Sequence, residues 1–362
     1  MKSLLISFLS MVALLTTALA PVLMGVQAQE VGSQRSAVVL MYHRFGESAY
    51  PSTNTTVAQL EDHIRALQTG GHSVVSLADV VSAHKGDITP PPKAVAITVD
   101  DAYRSFLTVA WPRLKAAGFP VTLFVATDAV ESGYSDSLTW AEVRMLQKEG
   151  VTIGAHSHTH SHLPSLSSDG VKRDLEAMAT AFERSLSAVP SLYAYPHGEA
   201  GLADIDAVRD HGFQAAFGQH SGAIGRHSDR HYLPRFALNE AYGEVDRFRL
   251  VIDTVPLPVI AITPPDPILN GHPKTLTLSL GKPPANIADL TCYGPRGQLL
   301  KSVIKKDAVD VVTGSPFNPG RVRVNCTLRS DLPETQGRWH WFGWQVIAGF
   351  ETEGVPVHPR YR

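Results

Sequence analysis

Between Ala37 and His211, short apolar runs and amphipathic segments alternate about seven times, and this pattern limits the fold more than any other feature. Ala37 to Met41 (AVVLM), Ala94 to Val99 (AVAITV) and Pro120 to Ala126 (PVTLFVA) are continuous apolar stretches. A short run that is apolar on both faces suits a strand buried between two layers. Further strands are predicted over 73–77, 151–155 and 191–195. Helices are predicted over 57–68, 77–84, 111–117, 140–149, 171–187 and 203–211, where apolar residues recur at helical spacing. The expected class is α/β, a parallel sheet with helices outside it. In such sheets, open or closed, function collects at the carboxyl ends of the strands.

After Pro256 the pattern changes. Pro256, Pro258, Pro264, Pro265, Pro267 and Pro273 punctuate the chain, and residues 256–272 read as a Pro-rich linker after an α/β domain over 37–255. Short alternating segments follow, Thr275 to Leu280 and Arg321 to Leu328 among them, so 273–350 reads as a small β-sandwich-like domain. It holds the only two cysteines of the sequence, Cys292 and Cys326. Trp339, Trp341, Phe342 and Trp344 also cluster there, either to stack on sugar faces or to fill a small β core.

At the N-terminus, Lys2 precedes an apolar run from Leu4 to Leu15, and Val26-Gln27-Ala28 offers a small-x-small cleavage site. Residues 1–28 therefore read as a secretory signal peptide, with periplasmic or extracellular destinations and no stable membrane span after cleavage. In an exported chain a lone cysteine pair is most economically a disulfide, Cys292 to Cys326. The formal net charge of -2 over 362 residues gives no reason to expect nucleic acid as a partner.

Three polar clusters directly follow apolar strands. Thr98-Val99-Asp100-Asp101 ends the AVAITV run, and two adjacent carboxylates there are costly unless a positive group stands beside them. His156-Ser157-His158-Thr159-His160-Ser161-His162 follows the 151–155 run. His156 and His160 are four apart, which a helical turn would place on one face; His158 and His162 form a second such pair, so spacing alone does not choose between them. Two imidazoles and one carboxylate make a common divalent-metal set with free positions for water and substrate. Tyr193-Ala194-Tyr195-Pro196-His197-Gly198-Glu199 ends a strand in a Pro-x-Gly turn, which can aim backbone N–H groups into a site.

Together these clusters resemble the polysaccharide deacetylase, or NodB-homology, family of carbohydrate esterases over roughly Ala37 to Pro256. Thr98 to Asp101 matches the family's T-F-D-D element, with Val99 for the Phe. His156 to His160 matches H-[ST]-x-x-H, and Tyr193 to Gly198 occupies the place of R-P-P-Y-G. The resemblance implies a distorted (β/α) barrel of about seven strands, followed here by the small all-β C-terminal domain. It implies a zinc-like divalent ion on Asp101, His156 and His160, with Asp100 as the base. His197 stands where the family's tyrosine offers a backbone N–H to the oxyanion. Ala194 replaces the family's Arg, and Arg235 in Leu233-Pro234-Arg235-Phe236 is the candidate substitute. The family's late L-x-H motif, source of its acid histidine, is not clear. His43 in Met41-Tyr42-His43-Arg44 takes that part instead, as in the biofilm poly-N-acetylglucosamine deacetylase branch. The expected reaction is hydrolysis of N-acetyl groups from an acetylated polysaccharide, with an exopolysaccharide export machine as an expected further partner. Alternatives are a chitooligosaccharide, peptidoglycan or acetylated xylan substrate, or a non-catalytic carbohydrate-binding protein.

Overall fold

The computed structural model describes residues 36–269, 273–314 and 317–348. The expected signal peptide lies outside the described residues. Among them no helix is long and apolar enough to cross a membrane.

The first sheet is parallel throughout. Its strands are β1 (Ala37–Tyr42), β2 (Ala94–Val99), β3 (Val121–Val125), β4 (Thr152–Ala155), β5 (Leu192–Ala194), β6 (Ala215–Phe217) and β7 (Phe236–Ala237), in the spatial order β7-β1-β2-β3-β4-β5-β6. A two-residue strand, Ser73–Val74, pairs with the start of β2, shorter than the predicted 73–77. A lone parallel bridge from Phe217 to Leu233 leads the chain from β6 towards β7. All six residues of β1 and of β2 are buried, as two-sided apolar runs require. This is the parallel sheet the alternation implied, curled like the distorted barrel the family resemblance implied.

The helices start where their caps allow. Thr56 and Gln59 form a reciprocal capping box at the head of helix Val57–Thr69, as Thr139 and Glu142 do for helix Trp140–Lys148. Ser167 caps Ser168–Leu186, which buries Val171, Asp174, Leu175, Met178, Ala181 and Phe182 on one face.

The chain then enters a second sheet of nine strands. These are β8 (Val255–Pro256), β9 (Val259–Thr263), β10 (Ile268–Leu269), β11 (Thr275–Leu280), β12 (Thr291–Tyr293), β13 (Leu299–Ile304), β14 (Ala308–Val312), β15 (Gly320–Arg329) and β16 (Trp339–Ala348). The 256–272 stretch is thus not a bare linker. Its prolines flank rather than interrupt β9, so that strand keeps the donors that pair it antiparallel with β11, while β10 pairs with β16. Burial alternates along β11 and β15, and their inward residues Leu276, Leu278, Val322 and Val324 meet in one apolar cluster.

Cys292 and Cys326 face each other across β12 and β15 and are joined by a disulfide. The bond closes a loop with a sequence separation of 34. Replacing both cysteines by alanine is expected to lower the unfolding free energy of this sheet by about 2–4 kcal/mol. Urea unfolding of the oxidised wild type against the double variant measures it.

The two sheets share an interface. Trp341 packs edge-on against Phe236 at 5.3 Å, Trp344 does so against Tyr232 at 6.1 Å, and both join the apolar core of the first sheet. Of the two readings of the tryptophan cluster, packing describes these two.

Candidate metal and catalytic site

The site stands at the carboxyl ends of β1, β2, β4 and β5 and just before β7. At the end of β2 the Asp100 N–H still donates to Tyr42 O at 2.9 Å, continuing the sheet. Asp101 then turns left-handed, with φ 73°, followed by Ala102 with φ 58°. This break lets two successive carboxylates, which a strand would send to opposite faces, address the same space.

The histidine segment after β4 was expected as a helical turn and is not one. Ser157 and His160 take left-handed φ values of 65° and 55°, and the segment is an irregular loop. The His160 N–H donates to Ser157 Oγ at 2.9 Å. Asp174, on helix Ser168–Leu186, accepts from the His158 N–H at 3.0 Å, the Thr159 N–H at 2.9 Å and Thr159 Oγ1 at 2.6 Å. A buried carboxylate with three donors organises the loop, where a helical turn would have relied on its own ladder. Of the two histidine pairs, His156 and His160 face Asp101. His158 is bonded to Thr127 Oγ1 and His162 to Glu199.

Asp101 Oδ1 lies 3.3 Å from His156 Nε2 and 3.1 Å from His160 Nε2. One donor atom from each of these three residues falls within 4.8 Å of the others. Asp101 Oδ1 and His156 Nε2 are buried and have no hydrogen-bond partner, a costly arrangement unless a cation takes up their lone pairs. The other ring nitrogen of His156, Nδ1, bonds to Ala194 O at 2.7 Å. A carbonyl can only accept, so Nδ1 carries the proton and Nε2 presents a lone pair, the tautomer a metal ligand needs. Burial pushes the Asp101 carboxyl up, but His160 and His156 facing it outweigh that and hold it well below its ordinary value. The donor set fits a divalent ion.

Asp100 is fully buried. Arg235 grips it with two parallel bonds, Nη1 to Oδ1 at 2.7 Å and Nη2 to Oδ2 at 2.8 Å. The guanidinium also donates from Nε to Gly218 O at 3.0 Å and from Nη1 to Thr98 Oγ1 at 3.1 Å. Burial raises the Asp100 carboxyl, but the charges of Arg235 and His156 and the Arg235 hydrogen bonds bring it below its ordinary value. Asp100 Oδ2 lies 4.0 Å from Nε2 of both His43 and His156. His43 follows β1, and burial pushes its imidazolium down against the opposing pull of Asp101 and Asp100.

His197 occupies the Pro196–Gly198 turn with φ 57°. Its ring stacks on His162 at 3.9 Å and meets His160 edge-on at 4.6 Å. Burial, with His160 and His162 beside it, pushes His197 down to about 2, so the ring is neutral. Sequence reasoning passed over Asp174 and Glu199. The helical periodicity over 168–186 carries the signal for Asp174, since it falls on the buried stripe between Val171 and Met178. A cavity of about 920 Å³ lies elsewhere, along the seam of the two sheets, with Tyr232, Trp341 and Trp344 in its wall.

The family model described as Polysaccharide deacetylase matches residues 87–216, a span that includes Asp100, Asp101, His156 and His160. YxkH of Bacillus subtilis (strain 168), a protein named among the polysaccharide deacetylases, is 24% identical over 197 residues, covering 54% of this chain and 69% of that protein. The poly-beta-1,6-N-acetyl-D-glucosamine N-deacetylase of Escherichia coli (strain K12) is 25% identical over 251 residues, covering 58% of this chain and only 37% of the relative. The solved structure of the Streptococcus pyogenes deacetylase PplD in complex with acetate superposes with a TM-score of 0.56 at 19% identity, covering 60% of this chain and 98% of that one. That likeness is one of fold. Residues 87–216, within the α/β part of this chain, thus match the polysaccharide deacetylase, or NodB-homology, family.

Proposed function

We propose that the chain is a metal-dependent N-deacetylase of an extracytoplasmic amino-sugar polysaccharide of the poly-N-acetylglucosamine kind. Its export would rest on residues 1–28, and it would work in the periplasm or outside the cell. One observation carries the reading: Asp101, His156 and His160 converge with two orphaned donor atoms, while the Arg235-clamped Asp100 stands within 4.0 Å of His43 and His156. The substrate class follows the name of the Escherichia coli relative and the early position of His43. The disulfide suits an oxidising compartment. We also propose the α/β domain over 37–255 and the all-β domain over 273–350, the latter joined by the preceding strands β8 to β10 of its sheet, as the working units.

A divalent ion on Asp101, His156 and His160, zinc by its taste for imidazole and carboxylate, supplies Lewis acidity that makes an amide carbonyl more electrophilic and water more acidic. Asp100 takes the proton from the attacking water. Arg235 fixes both its oxygens, so the base is oriented and charged at neutral pH. The His197 backbone N–H donates to the developing oxyanion, a contact worth several kcal/mol in such sites. His43, across from Asp100 and neutral at rest, relays to the leaving amine the proton that Asp100 takes from the water, without which the C–N bond breaks slowly. Acetate and a glucosamine unit leave.

Acetate release from a panel of poly-β-1,6-N-acetylglucosamine oligomers, chitooligosaccharides, peptidoglycan and acetylated xylan tests the reading. Release from the first, stopped by a chelator and restored by zinc, is expected. No acetate from any of them by zinc-loaded protein overturns it. Asp101→Ala is expected to cut bound zinc, measured by elemental analysis, from about one per chain to near none, with activity falling at least ~10²-fold.

A further inference from the structure

The turn that holds His197 is not secured by its own sheet alone. Gln345, on β16 of the second sheet, is fully buried, and its Nε2 donates to Gly198 O at 2.7 Å and to His197 O at 3.4 Å. Arg323, its register partner on β15, donates from Nε to Gln345 Oε1 at 3.4 Å. That contact fixes which end of the carboxamide is which: the oxygen faces Arg323 and the amino group faces the turn. Arg321, also on β15, donates from Nη1 to His197 O. Its Nε stands 4.0 Å from Glu199 Oε1, and Glu199 bonds His162, the residue on which the His197 ring stacks.

Two glycines mark where the chain is packed too closely for a side chain. Gly198 has φ 68°, and a Cβ there would run into Gln219 backbone and side chain. Gly343, two residues before Gln345 on the same strand, lies so near Ser221 that a Cβ would strike the Ser221 carbonyl. The loops after β5 and β6 are thus pressed together at Gly198, the second sheet meets the loop after β6 at backbone distance at Gly343, and the groups it sends to the loop after β5 are hydrogen-bond donors. The two carbonyls of this left-handed turn are outside any ladder; Gly198 O also accepts from Tyr232 Oη at 2.8 Å, and the second sheet supplies the remaining donors.

We propose that Gln345, backed by Arg323 and flanked by Arg321, is a positioning residue for the deacetylation reaction, holding the Pro196–Gly198 turn so that the His197 N–H meets the acyl oxygen. The inference rests on the deacetylase reading above and adds to it that the β sheet after residue 255 is a working part of the catalytic site. The His197 N–H belongs to the Pro196–His197 peptide unit, whose carbonyl accepts from the Glu199 N–H at 3.1 Å, and Gln345 and Arg321 hold the carbonyls of the next two units of the same turn. With the planes that follow His197 anchored, the turn has little freedom to swing, and the direction of the His197 N–H at its head is set with it. A donor misplaced by about 1 Å loses much of its worth, because oxyanion stabilisation depends on preorganised geometry.

The experiment measures kcat, KM and bound zinc for Gln345→Leu, Gln345→Glu and Arg321→Met, on poly-β-1,6-N-acetylglucosamine oligomers with full-length mature protein. Expected for both Gln345 variants is a kcat per zinc-loaded molecule lower by roughly 10–100-fold, with KM within about 3-fold and zinc content unchanged. Arg321→Met, at a more exposed position, is expected to show the same split with a smaller loss. A merely structural role would lower the yield or melting temperature and leave kcat per loaded molecule alone. Should Gln345→Leu not fold, Gln345→Glu and Arg321→Met carry the test. Values of kcat within about twofold of wild type in every variant that folds would overturn the proposal. Acetate release by the wild type separately tests the deacetylase reading. If that fails, a crystal structure of Gln345→Glu or Arg321→Met decides the positioning claim: a turn shifted by about 1 Å supports it, and an unmoved turn sinks it.

Discussion

Asp100→Asn is expected to leave zinc content unchanged and to lower kcat by about 10³-fold or more. The substitution keeps the shape of the side chain and an oxygen for Arg235, and it touches none of the three residues that converge on the proposed ion. What it removes is the basic lone pair that takes the water proton, an effect that general-base deletions place at about 10²–10⁴-fold. It also leaves Arg235 buried without its counter-charge, so stability falls too, and rates must be referred to folded, zinc-loaded molecules. Zinc by elemental analysis and kcat from acetate release on the same preparation make the measurement. Retention of more than about a tenth of wild-type kcat would falsify the assignment of Asp100 as base.

Arg235→Met is expected to have the largest effect on stability, a loss of about 3–5 kcal/mol at neutral pH, because it strands a fully buried carboxylate. The pH dependence has a sign that distinguishes this cause from lost packing. In the wild type Asp100 sits below its ordinary value despite its burial, owing first to the Arg235 charge and then to His156. Such a group contributes stability that is present above the unfolded-chain value of roughly 4 and lost as pH falls through the lower folded value. With the guanidinium gone, burial dominates and the carboxyl moves above its unfolded value. The variant should then hold its stability below about pH 4 and lose it as pH rises through the raised folded value. Urea unfolding of metal-free wild type and variant across this range is the check, and a gap between them that does not narrow towards acid would remove the electrostatic explanation. Activity should fall as well, since an unclamped Asp100 is neither oriented nor reliably ionised.

How far the sequence shows these features depends on the range of the interaction that produces them. Strands β1, β2 and β3 and most helices before residue 211 lie within a residue or three of their predicted bounds, because two-sided burial and helical periodicity are local properties. β6, with three residues, and β7, with two, were not foreseen, since their pairing partners rather than any pattern of their own make them strands. Strand β9 was hidden among prolines that punctuate its edges. The spacing of His156 and His160 suggested a helical turn, and the loop is instead set by Asp174, sixteen residues from His158 in the chain. Arg235 could be named from the missing arginine at Ala194. That its fork closes on both oxygens of Asp100, 135 residues away, is a fact of three dimensions.

By itself the order of residues determined the parallel α/β sheet, the strand ends that carry polar clusters, and the residue types able to hold an ion there. Local burial and local periodicity are enough for that. Spacing left two histidine pairs open and the family resemblance named His156 and His160; only the tertiary structure decided that Asp101 breaks the strand to join them, and that Gln345 and Arg321 reach the His197 turn from the second sheet. These are contacts between segments far apart in the chain, fixed by packing and by the need to satisfy buried polar groups, and no short window of sequence contains both partners.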